Sequence, residues 1–136
     1  MKLRELDLGV TNITEISVKI GNLKDLEKLD IAYSEITRVP NEIFDLSNLR
    51  ELGLPDTIQV YKVRKFNKTL KELHAPFEFL KYNAESLKTL RNLETATVIF
   101  RYKDWDEEGR LHPLDLAALH KILPNTDINE VTYLDD

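Results

Sequence analysis

The chain has 136 residues, 42% hydrophobic and 32% charged, which suits one soluble domain with a buried core. Its 24 acidic against 19 basic residues leave a net charge of −5, which disfavours nucleic acid and anionic lipid, since both need a basic footprint. The lack of cysteine excludes disulfides, thiolate–metal centres and a cysteine nucleophile; the charged start M-K-L-R-E-L-D-L does not read as a signal peptide, and no apolar run is long enough to span a membrane.

In chain order, residues 1–25 carry Leu3, Leu6 and Leu8 at strand spacing, with Glu5, Asp7 and Gly9 alternating outward. Ile13, Ile16, Ile20 and Leu23 follow at wider spacing. Residues 26–47 repeat this design 23 residues on, with Leu26, Leu29 and Ile31, then Ile36, Val39, Ile43 and Leu46. Pro40 fixes φ behind Val39, and a short helical turn is expected over 41–46. The third repeat opens with Leu49, Leu52 and Leu54. Its back half, T-I-Q-V-Y-K-V-R-K-F-N-K-T, lacks the proline pattern and runs two residues shorter. Lys62, Arg64, Lys65 and Lys68 cluster there around Tyr61 and Phe66, either as a contact for an acidic partner or as a solvated outer face. The fourth repeat keeps Leu70, Leu73 and Ala75, then Leu87 and Leu90, with a helix expected over 83–90. The fifth starts at Leu93 with a β-branched strand, Ala96 and Val98 pointing inward. Residues 103–110 form a charged loop around Trp105, which either covers the end of the stack or stands out as a contact. Pro113 opens a helix over 114–123. The closing segment reads as a last strand, with Ile128, Val131 and Tyr133 at its first, fourth and sixth positions.

Self-similarity at a fixed period marks stacked repeats. The run L-x-x-L-x-I of 26–31, with Ser34 and Thr11 where an asparagine is common, resembles the leucine-rich repeat family. The back-half pattern I-x-x-V-P-x-x-I-x-x-L resembles its short 23-residue type, found in bacterial and plant intracellular leucine-rich repeat proteins, including plant resistance receptors. The resemblance implies an α/β solenoid: a parallel β-sheet on the concave face, with loops and short helices on the convex side. A single domain over 1–136 is expected, with repeats starting near 3, 26, 49, 70 and 93 and residues 103–134 as a cap. No capping element precedes Leu3. The open edge therefore either meets another domain or a second copy, as a homodimer would, or belongs to a piece of a longer receptor-like protein.

Parallel stacking would align the outward residues in columns. One reads Asp7, Asp30, Gly53, His74, Thr97, Thr132, and another Glu5, Lys28, Glu51, Glu72, Thr95, Glu130. A third, at the strand ends, reads Val10, Tyr33, Asp56, Phe77, Phe100, Asp135. Rings on a concave wall are typical anchors, so Asp30, Tyr33, Asp56, His74, Phe77, Thr97 and Phe100 are the candidate contacts for a protein partner. The alternative is that the rings fold under the ascending loops into the core. Asp7 and Asp30 would lie about 5 Å apart on neighbouring strands. Such a pair can do acid–base work or hold a cation, and with His74 it offers an enzyme as an alternative reading. Arg4 and Lys28 stand ready to neutralise the pair, and no third ligand is evident. No nucleophile motif, phosphate loop or metal signature occurs, and His112 and His120 lack metal-ligand spacing. No catalytic residue, metal or cofactor is therefore assigned. A cytoplasmic, non-catalytic binding module is expected, without nucleic acid or membrane as partner.

Overall fold

A computed structural model describes residues 2–9, 11–101 and 113–133. Strands β1 (Glu5–Asp7), β2 (Lys28–Asp30), β3 (Glu51–Gly53), β4 (Glu72–Pro76), β5 (Thr95–Arg101) and β6 (Asp127–Tyr133) form one sheet in sequential order. Every neighbouring pair is parallel. The register follows the repeat: Leu6 faces Leu29, Leu29 faces Leu52, Leu52 faces Leu73 and Leu73 faces Ala96.

The leucines that set this register are the core. Leu26, Leu29, Ile31, Leu49, Leu54 and Leu70 are fully buried. Their counterparts Leu3, Leu6 and Leu8 in the first repeat, around the outermost described strand, are only half-buried. Behind the sheet the chain returns through 3-10 turns at Val18–Asn22 and Asn41–Asp45, the second starting after Pro40 as expected. Two short helices, α1 (Phe77–Tyr82) and α2 (Ala84–Leu87), replace the single helix expected over 83–90. Helix α3 (Pro113–Ile122) leads into β6.

The irregular third and fourth repeats are held by rings and amides rather than by leucines alone. Phe44, Phe66, Phe79 and Tyr61 form a chain of edge-to-face contacts, with centroids 5.6, 6.4 and 5.5 Å apart. The Tyr61 hydroxyl donates to Val39 O at 3.1 Å and accepts from Val39 N at 3.3 Å. Buried Asn67 donates to Ile43 O at 2.9 Å and Leu46 O at 2.8 Å. Buried Asn83 donates to Tyr61 O at 3.0 Å and Phe79 O at 2.9 Å, and accepts from Val63 N at 2.7 Å. Backbone without regular secondary structure must satisfy its polar groups somewhere, and these two amides do it. Thr11 and Ser34 do less: each hydroxyl donates only to a carbonyl of its own repeat, Leu8 O at 2.6 Å and Ile31 O at 2.8 Å.

The register expected for the last strand is corrected by three residues. Thr126 Oγ1 donates to Leu93 O at 2.9 Å and Asp127 N to Glu94 O at 2.8 Å. Asp127 therefore lies opposite Thr95, Ile128 opposite Ala96 and Asn129 opposite Thr97. Asn129, not Thr132, completes the first outward column, and Asp127, not Glu130, the second. Trp105 and His112 lie outside the described residues.

Candidate functional site

Strand alternation sends Asp7, Asp30, Gly53, His74 and Thr97 to the outward face of the sheet, in register. Each aspartate first serves its own backbone. Asp7 Oδ1 accepts from Gly9 N at 2.9 Å, and Asp30 Oδ1 accepts from Ala32 N at 3.0 Å. These turns end β1 and β2 and swing the chain away from the sheet. The Asp7–Asp30 pair is thus part of the turn chemistry that repeats from strand to strand.

Asp30 also shapes the floor. Its carboxylate lies over Gly53, where an added Cβ would stand 2.7 Å from Oδ1. A side chain at this place in the column would have to push that carboxylate aside. Around it runs a groove of about 250 Å³ between β2 and β5, lined by Lys28, Asp30, Tyr33, Glu51, Gly53, Glu72, His74, Thr95 and Thr97 among others.

Tyr33 forms one wall. It follows the Asp30 turn and is 58% exposed, its ring edge-on to His74 with centroids 6.1 Å apart. His74 is half-buried, and its Nε2 has no hydrogen-bond partner among the described residues. Burial holds the imidazole below its ordinary value, against the opposing pull of Asp56 and Asp30. Asp56 is half-buried in the turn after β3. At the other end of the groove, Lys28 Nζ lies 3.6 Å from Glu51 Oε2. A hydrogen bond with Glu51, with desolvation adding to it, raises the Glu72 carboxyl from its ordinary value, while Lys28 opposes.

Four of the seven candidate contacts, Asp30, Tyr33, His74 and Thr97, thus line one groove, and Asp56 acts on it through the field at His74. Phe77 and Phe100 do not belong there, and the continuous aromatic column is corrected. Phe77 is 2% and Phe100 1% exposed, and the two rings stack on each other inside the core. The cause is where each strand stops. β2 ends at Asp30 and turns outward, so Tyr33 projects. β5 stays extended to Arg101, so alternation returns Phe100 to the inner side with Ala96 and Val98. Phe77 opens α1 and is carried beneath the sheet. Val10 and Asp135, the ends of that column, lie outside the described residues. Glu51, Glu72 and Gly53 were legible as outward positions, but nothing in their spacing marked them as groove-lining.

Among the described residues, no group of three or more His, Asp or Glu side chains could hold a metal ion, and no helix is long and apolar enough to cross a membrane.

Comparison with known proteins agrees with the repeat reading. The family described as a leucine-rich repeat region matches residues 1–128. A solved leucine-rich repeat protein of Leptospira interrogans is similar at 25% identity over 93% of this chain, with a TM-score of 0.45. The chain spans 25% of that protein's length. No curated protein matches the chain.

Proposed function

The chain belongs to the leucine-rich repeat family, and from that premise we propose that it is a non-catalytic protein–protein interaction module that receives its partner on the concave, outward face of the sheet. In this reading residues 1–136 act as one leucine-rich repeat domain in the cytoplasm, which fractionation of the native source would check. The observation that carries the proposal is the groove beside exposed Tyr33. A large ring left in solvent on a face otherwise built mostly from polar and charged side chains is a ready anchor, and such anchors contribute about 2 kcal/mol or more in complexes. The aspartates that could have served catalysis are engaged in turns.

Photo-crosslinking tests it. A benzophenone residue in place of Thr97 should capture a partner from the native source, one in place of Lys88 should not, and Tyr33→Ala should lower the yield at 97. Efficient capture from position 88 with none from 97 would refute the concave-face reading.

The half-buried Leu3, Leu6 and Leu8 favour a second reading, in which β1 and its flank pack on another domain or a second copy. Light scattering on the isolated chain separates the two. A monomer at high concentration argues against self-association through that edge.

A further inference from the structure

We propose that the groove selects a basic side chain of the protein partner, lysine or arginine, with its aliphatic arm along the Tyr33 ring and its charged head at Glu51 and Glu72. This rests on the concave-face reading and adds the chemistry of what is recognised.

Charge is the first argument. The groove lining carries Asp30, Glu51 and Glu72 against Lys28 alone. The adjoining hollow at the start of the strands adds Glu5, Glu27 and Glu94 against Arg50 and Lys71, so the excess is negative along the whole strip. Lys28 is already paired with Glu51, and burial disfavours the protonated form of His74, so neither opposes an incoming cation strongly. Glu51 and Glu72 face each other across neighbouring strands, and the nearness of Glu51 raises the Glu72 carboxyl from its ordinary value. A cation seated between them would remove that conflict.

Shape is the second argument. Gly53 adds no side chain of its own to the middle of the strip, where the Asp30 carboxylate lies, so an arm along the strand direction passes beside a third acidic group. His74, which contacts the Tyr33 ring, stands two residues along β4 from Glu72, about 7 Å, a span a lysine or arginine arm covers. Tyr33 presents its ring where that arm would begin, an apolar surface for the methylenes. An acidic side chain would meet three carboxylates here, and a purely apolar one would leave the Glu51–Glu72 conflict in place.

The test is a titration of isotope-labelled full chain, followed by amide chemical shifts, with four blocked pentapeptides, Ac-Gly-Gly-X-Gly-Gly-NH2, where X is arginine, lysine, glutamate or norleucine. The arginine and lysine peptides should shift the amides of Gly53, His74 and Thr97, and the other two should not. Glu51→Gln with Glu72→Gln should weaken the arginine peptide about tenfold, with the fold intact by its amide spectrum. Equal shifts from the glutamate or norleucine peptide, unmoved groove amides, or unchanged arginine binding by the double variant would each overturn the proposal. The crosslink at position 97 keeps the two ideas apart. Partner capture undiminished in the double variant leaves concave-face binding standing and removes selection for a basic side chain, whereas failure of that crosslink in the otherwise unmodified chain removes both.

Discussion

Phe77 and Phe100 stack with ring centroids 4.8 Å apart and planes 25° apart, joining the start of α1 to the inner side of β5. Both rings lie in the core, although at strand-end positions they resemble surface anchors. Phe100→Ala should therefore lower stability by about 3–5 kcal/mol, as Leu29→Ala in the regular second repeat should by about 2–5 kcal/mol. Tyr33→Ala should stay within about 0.5 kcal/mol. Denaturant unfolding of the three variants decides. A Phe100 variant as stable as the parent would place that ring outside the core.

Gly53 and Asp30 form a second coupled pair. In Gly53→Ala the new Cβ would stand 2.7 Å from Asp30 Oδ1, which also accepts the Ala32 N–H. The carboxylate can move only by loosening that turn, a loss of about 1.5–3 kcal/mol for a charged hydrogen bond. Relief of glycine's backbone entropy offsets about 0.5–1 kcal/mol of it. The net cost should be about 1 kcal/mol, and it should vanish when Asp30 is alanine. Additive effects in this double-mutant cycle would mean that the two residues do not touch.

Asn83 should matter more than its polarity suggests. Asn83→Ala strands Val63 N and removes donors from Tyr61 O and Phe79 O in a buried place. We expect a loss of about 2–4 kcal/mol, compared with about 1 kcal/mol for Thr11→Ala, whose single hydroxyl bond is half-exposed. Similar midpoints for the two variants in urea would contradict this ranking.

His74 sets an acid-side response. Its folded-state value is lowered from 6.5, so below about pH 6.5 the unfolded chain binds more protons than the folded one. This residue therefore makes stability fall as pH drops through 6.5 towards the folded value. His74→Gln should flatten that part of the profile. Thermal melts between pH 7.5 and pH 5 would show it, and an unchanged slope in the variant would exclude His74 as the source.

Glu72 acts with the opposite sign. Its folded-state value is raised above 4.5, so the folded chain holds the proton longer, and stability falls as pH rises through the folded value. Glu72→Gln should be slightly more stable than the parent at pH 7 and lose that advantage near pH 4. Because the side chain is largely exposed the change should be small, and a variant less stable at pH 7 would show that Lys28 governs the pair instead.

Periodicity alone determined the stack. Leu26, Leu29 and Ile31 recur 23 residues after Leu3, Leu6 and Leu8, and only parallel neighbours of identical register can bury such a pattern, so the first five strands are legible in the spacing of their leucines. The outward columns followed from alternation, which placed Asp30, His74 and Thr97 together. Tertiary structure decided what a repeat count cannot: where each strand stops and what its end meets. β2 stops at Asp30 and β5 continues to Arg101, so Tyr33 faces solvent while Phe100 stacks on Phe77. The hydrogen bond from Asp127 N to Glu94 O set the last strand three residues from the position its own spacing suggested. Nothing in the sequence marks Asn67 and Asn83 as buried, yet they hold the irregular back because carbonyls there need donors. These bonds reach partners 20 or more residues away, and no local spacing records them.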